Sequence, residues 1–253
     1  MNLDAASLGI LCPAFLAGLL VTATHVPLGM QVLDRGIVFI DLAVAQVAGV
    51  GVILADALGF EPTGVAVQVA ALSAALICAM LLTWTERRWP EVQEAVIGVV
   101  FVLASSAAIL LLAKNPHGGE HLKDLLVGQI LWVNPLRLVP VALIYAVILA
   151  LWFGMRERLG RIGFYVLFAC TVTVSVQLVG LYLVFITLVM PALATWTARR
   201  RRTLKAYLIG VLGYALGLLV SVATDLPSGA TIVCAMAALG LAVFALGPRR
   251  SPV

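Results

Sequence analysis

The chain has 253 residues, 63% of them hydrophobic and only 11% charged, with a formal net charge of +4. A soluble domain carries roughly 25% charged residues and about 45–50% apolar ones, and a mean hydropathy of +1.12 leaves too little polar surface to cover a globule in water. A soluble enzyme, a nucleic-acid binder and a disordered protein are excluded; an all-α polytopic membrane protein remains.

A spanning helix needs about 20 apolar residues to cross a hydrocarbon core roughly 30 Å thick. Asp4 is the only charged residue before His25, so the first span, Leu8 to Thr24, lacks the basic start of a signal peptide and is expected to be retained. Gly36 to Gly59, Thr63 to Trp84, Val92 to Ala113 and Leu136 to Gly154 follow. Ile162 to Ala198 is an uncharged run of 37 residues, about 55 Å long as one helix and too long for one crossing. It divides best near Gly180 into two short spans. Ala206 to Ala223 and Gly229 to Gly247 complete a set of about nine, or eight without that division. Cys12, Cys78, Cys170 and Cys234 all lie in apolar segments with no C-x-x-C spacing, as small buried hydrophobes do.

Charge tests the division. With the N-terminus outside and the C-terminus in the cytoplasm, thirteen of sixteen basic residues fall inside: Arg35, Arg87, Arg88, Arg156, Arg158, Arg161, Arg199 to Arg202, Lys205, Arg249 and Arg250. Only Lys114, Lys123 and Arg137 fall outside. Undivided, the run would put the Arg156 and Arg199 clusters on opposite faces and weaken the positive-inside bias. The whole chain reads as one transmembrane domain, 1–253, in a bacterial inner membrane. Residues 114–135 form an outer loop whose apolar second half is too short to span, and which lies in the interface or re-enters.

Asp41 is the only acidic residue well inside a span. An ionised Asp at a helix centre in lipid costs about 2.5–3.5 kcal/mol, so such groups usually face a cavity or a partner. It is either a ligand on a cation pathway or an acid near a helix N-terminus paired with Arg35. Asp56, fifteen residues on, falls about 22 Å further along the helix; with Glu61 it forms either an acidic mouth that gathers cations or an ordinary solvated helix end. In the outer loop, His117, Glu120 and His121 carry the donor types of a transition-metal site, though Gly118 and Gly119 argue against a helix there, and a plain polar loop fits equally well. His25, before Pro27, is placed at the inner end of the first helix as a capping or interfacial residue. There is no phosphate-binding P-loop, no G-x-S-x-G nucleophile and no H-E-x-x-H zinc motif, so transport is the default function and an intramembrane enzyme is disfavoured.

Four segments, in order, resemble the permease subunits of ATP-binding-cassette importers for zinc, manganese and iron. Asp34 to Gln46 (DRGIVFIDLAVAQ) resembles that family's arginine-led second helix with its aspartate. Glu94 to Ser106 (EAVIGVVFVLASS) resembles its acidic–Ala–Ile–Gly helix start, and Asp124 to Val133 (DLLVGQILWV) its outer Leu-Leu-x-Gly-x-Ile-Leu element. Val179 to Thr195 (VGLYLVFITLVMPALAT) resembles its Val-Gly…Pro-Ala signature.

The resemblance implies a non-enzymatic permease working as a homodimer with two cytoplasmic ATPase subunits that bind the ATP. An extracytoplasmic binding protein would deliver the divalent metal, zinc first, with manganese or iron behind. The chain itself would hold no cofactor, and the metal is its cargo. Asp41 takes the role of the family aspartate. The histidine expected four residues later is absent: Ala45 stands there, and Gln46 lies about 140° from Asp41 around the helix. A pathway with one carboxylate and no imidazole holds soft metals less tightly, which leaves zinc against manganese open. The short basic loop Arg156, Glu157, Arg158 to Arg161 stands where the family couples to its ATPase, and serves either that or as a topology anchor. The alternative function is a secondary cation transporter with Asp41 as its proton or ion site, working without an ATPase.

Overall fold

The computed structural model describes residues 5–61, 64–112, 128, 130–198 and 200–246. Every regular element among them is helical: α1 (Ala5–Arg35), α2 (Ile40–Ala57), α3 (Val65–Arg88), α4 (Gln93–Leu112), α5 (Pro135–Met155), α6 (Arg158–Val179), α7 (Leu181–Ala194), α8 (Arg202–Thr224) and α9 (Ser228–Leu246). Short 3-10 turns at Pro90–Val92 and Ile130–Trp132 precede α4 and α5. Eight of the helices are long and apolar enough to cross a membrane. The ninth, α7, has 14 residues and rises only about 21 Å.

The division at Gly180 is where the sequence places it. Gly180 has φ +87° and stands between α6 and α7, in a region of backbone space that favours glycine. Non-helical dihedrals at Met155, the last residue of α5, and at Gly160, in the first turn of α6, break an otherwise continuous run.

The first helix differs from expectation. It continues eleven residues beyond Thr24, to Arg35, with Pro27 inside it. Proline removes the amide that would bond the carbonyl four residues back, and here the Tyr207 hydroxyl donates to that carbonyl, Ala23 O, at 3.1 Å. His25 is therefore neither a cap nor an interfacial residue but fully buried in mid-helix. Gly36, at φ +71°, ends α1, so Asp34 and Arg35 belong to α1 rather than leading the second helix, which begins only at Ile40.

The chain gathers into two compact units interleaved in sequence. The first comprises 1–35, 127–145 and 178–253. In it α1 packs on α7 and α8, and α9 packs on α7 and α8. Small residues permit these approaches, as is usual where lipid supplies no hydrophobic drive between helices: a β-carbon at Gly29 would strike the Leu188 carbonyl, and one at Gly18 the Tyr214 ring. Thr187 gives its proton to Leu183 O at 2.6 Å, so Tyr214 donates to Thr187 Oγ1 at 3.0 Å. Arg202 lies 3.4 Å from Asp34 and stacks over the Trp196 ring at 5.3 Å.

The second unit comprises 36–126 and 146–177. Here α2 packs between α3 and α4, with Val50 and Ile53 against Ala108 and Leu112. Buried Gln93 accepts from Thr85 at 2.9 Å and donates to the Leu82 carbonyl at 3.0 Å. Trp152, Phe164, Tyr165 and Phe168 form an aromatic cluster at the α5–α6 end of this unit.

One expectation about the core is corrected. The four cysteines are free thiols, but only Cys78 is buried; Cys12 and Cys234 are exposed. A membrane span is apolar on its lipid side as well as its packed side, so hydropathy does not tell which face a cysteine occupies.

Tyr207→Phe is expected to cost about 0.5–1.5 kcal/mol by orphaning the Ala23 carbonyl, while Gly29→Ala costs more because its β-carbon meets backbone that has no rotamer to yield. Reversible unfolding of the purified chain in mixed micelles checks the order of the two, and equal stability of Gly29→Ala and wild type would show that α1 and α7 are not held so closely.

Candidate functional site

Asp41 is the second residue of α2, in the first turn, where unpaired amides and the helix dipole favour a negative charge by about 0.3–1 kcal/mol. Its side chain is 0% exposed. Neither carboxylate oxygen has a side-chain hydrogen-bond partner, and Asp41 makes no ion pair within its own unit among the described residues. The dipole alone does not offset the cost of burying a carboxylate away from water. A buried carboxylate with both oxygens unused is a hard donor suited to a cation.

The start of α2 is held from another helix. Glu94, in the first turn of α4, accepts the Phe39 amide through Oε1 at 3.3 Å, and Phe39 is the residue before α2 begins. The other oxygen, Oε2, is buried without a partner. Glu94 thus fixes the turn that carries Asp41. The sequence offered an acidic residue at the head of an apolar helix but no sign of its partner 55 positions earlier.

The remaining candidates are dispersed. Ala45, one turn beyond Asp41, and Gln46 are both buried, and Ala45 offers no donor. Asp56 is partly buried near the far end of α2, and Glu61 is exposed beyond it; neither lies near Asp41, since fifteen helical residues rise about 22 Å. His117, Glu120 and His121 lie outside the described residues, as does most of 114–135. Among the described residues, no three His, Cys, Asp or Glu side chains are arranged to hold a metal ion. Arg156 and Glu157 stand at the break between α5 and α6, their side chains outside the description. Arg158 is exposed, and Arg161 reaches Glu86 at the end of α3 at 3.8 Å.

In the first unit, His25 Nδ1 lies 2.9 Å from the Val21 carbonyl. A carbonyl only accepts, so Nδ1 carries the proton and Nε2 keeps its lone pair, buried without a partner. A lone imidazole does not make a site.

The described residues define a helical membrane protein with a buried carboxylate at a helix start, a setting in which an ionisable side chain marks a functional site. More narrowly, residues 7–164 and 153–247 match the model of the ABC 3 transport family, and the chain belongs to that family as its integral-membrane permease. It is 26% identical over 242 residues to an uncharacterized membrane protein of Synechocystis, covering 87% of this chain and 84% of that one. Its fold is similar to that of PsaBC from Streptococcus pneumoniae, solved in complex with Fab, with a TM-score of 0.77, 19% identity, and 96% and 95% of the two chains covered.

Glu94→Ala is expected to free the Phe39 amide and loosen the first turn of α2 by about 1 kcal/mol, the usual worth of a cap, while Glu94→Gln keeps an accepting oxygen and the turn. Amide hydrogen exchange at Phe39 reads the difference, and equal exchange in both variants would remove Glu94 from that task.

Proposed function

We propose that this chain is the permease through which a divalent transition metal crosses the membrane, with Asp41 as the ligand on the pathway. Zinc is the first candidate, with manganese or iron behind it. The single observation that carries this is the Asp41 carboxylate, fully buried with both oxygens unpartnered, on the scaffold of an ABC 3 transport permease. An unpaired acid in that setting is costly to keep, and a passing cation offsets the cost only while it is bound. That is the behaviour wanted of a transport site, which must bind and also release.

In this proposal two copies of the chain work together, driven by two copies of a separate ATPase at the cytoplasmic face. The basic residues Arg156, Arg158 and Arg161, with Glu157, meet the ATPase. The Arg161–Glu86 contact ties this loop to the end of α3, in the same unit as Asp41. An extracytoplasmic binding protein hands over the metal, and His117, Glu120 and His121, with Asp56 and Glu61, gather it on the outer side. With Ala45 in place of an imidazole, the pathway offers oxygen rather than nitrogen donors, and the choice of metal is left to competition.

Uptake into proteoliposomes holding the chain, its ATPase, external binding protein and internal ATP tests the proposal, with zinc and manganese competing. ATP-dependent uptake that falls at least tenfold in Asp41→Ala, with ATPase assembly intact, is the expected outcome. Uptake that ignores ATP and follows an ion gradient would replace this reading with the secondary transporter. His117→Ala combined with His121→Ala is expected to lower uptake chiefly at scarce metal; an unchanged concentration dependence would remove the outer histidines from capture.

A further inference from the structure

Passage of a cation past Asp41 leaves one built feature of the chain unused. Along α8, Lys205, Leu208, Ile209 and Leu212 follow at intervals of three, one and three, the spacing of a single helical face. Facing them on α9 are Leu239 and Val243, four residues apart. Together these six line an open groove of about 290 Å³ between the two helices, within the first unit. Ile209 is its floor, while Leu208, Leu212 and Val243 stand half-exposed on its rims. Every lining residue is aliphatic except Lys205, which lies at the end where α8 begins.

The cations around that end are not equivalent. Arg202 is engaged, paired with Asp34 and stacked on Trp196. Lys205 makes no ion pair among the described residues, and Arg200 and Arg201 are exposed in the connection just before α8. A long lysine on a membrane helix runs its stem along apolar surface and carries its ammonium towards the headgroups. The rise from Lys205 to Leu212 is about 10 Å, enough to seat the upper part of an acyl chain beneath a headgroup at the ammonium.

We propose that the groove between α8 and α9 is a binding site for an anionic phospholipid. The acyl chain lies along Leu208, Ile209, Leu212, Leu239 and Val243, and the phosphate is held by Lys205 with Arg201 beside it. Basic pockets between membrane helices recognise anionic headgroups in this way. Apolar walls alone would accept any phospholipid; the unpaired lysine at one end makes the site selective for charge.

Native mass spectrometry of the intact chain in neutral detergent, titrated with phosphatidylglycerol and with phosphatidylcholine, tests this without reference to transport. Wild type is expected to retain phosphatidylglycerol in preference to phosphatidylcholine. Lys205→Gln is expected to cut that preference about fivefold, the worth of one basic residue near an anionic surface, while Arg137→Gln, at the start of α5, leaves it unchanged. Leu212→Trp, which fills the groove, lowers retention of both lipids. A preference unaltered by Lys205→Gln, or lost equally in Arg137→Gln, would overturn the site. So would a Leu212→Cys variant that crosslinks to a second copy, since the groove would then be covered by protein.

Discussion

Hydrocarbon offers a backbone no hydrogen-bond partners, and most of this chain's architecture follows from that lack. Each amide and carbonyl must be satisfied within its own helix or by a side chain, so nearly all of the described chain is helical. At Pro27, where proline interrupts the pattern, a side chain from another helix makes the repair. Pro27 leaves the Ala23 carbonyl open, and Tyr207 of α8 closes it. Hydroxyls follow the same rule: Thr22, Thr83, Thr171, Thr173, Ser175 and Thr187 each bond the carbonyl four residues back, which lets polar side chains stay in buried positions.

Against that background an unsatisfied polar group is informative. Most buried threonine hydroxyls bond a carbonyl of their own helix, whereas the Asp41 carboxylate leaves both oxygens without a side-chain partner. Its neighbourhood is ordered all the same. Gly36 stops α1, a short turn follows, and Glu94 of α4 grips the amide just before α2. The protein uses a charged residue to fix the turn that presents Asp41, and leaves Asp41 itself open. The contrast is between a backbone held from another helix and a carboxylate without a side-chain partner.

Much of this was legible in the residues. Apolar length marked every span-length helix, and glycine in an uncharged run marked the break at Gly180. Four weak apolar motifs in the right order pointed to the family that the matched residues bear out. Other features were not legible. The end of α1 is one, because Pro27 signals a stop in water, whereas here a hydroxyl from α8, 184 positions along the chain from the carbonyl it bonds, lets the helix continue. The exposure of Cys12 and Cys234 is not legible either, because a span is apolar on all sides.

The sequence by itself determined the order of the span-length helices and the class of protein, and it singled out Asp41 as a candidate, because hydropathy over about 20 residues is a local property. Only the tertiary structure decided where α1 ends and α2 begins, that Asp41 is unpaired, that Glu94 holds its turn, and that α8 and α9 enclose a groove with a lysine at its end. Each of these depends on which side chains of distant segments come within a hydrogen bond's length of one another, and helix packing, not local pattern, sets that.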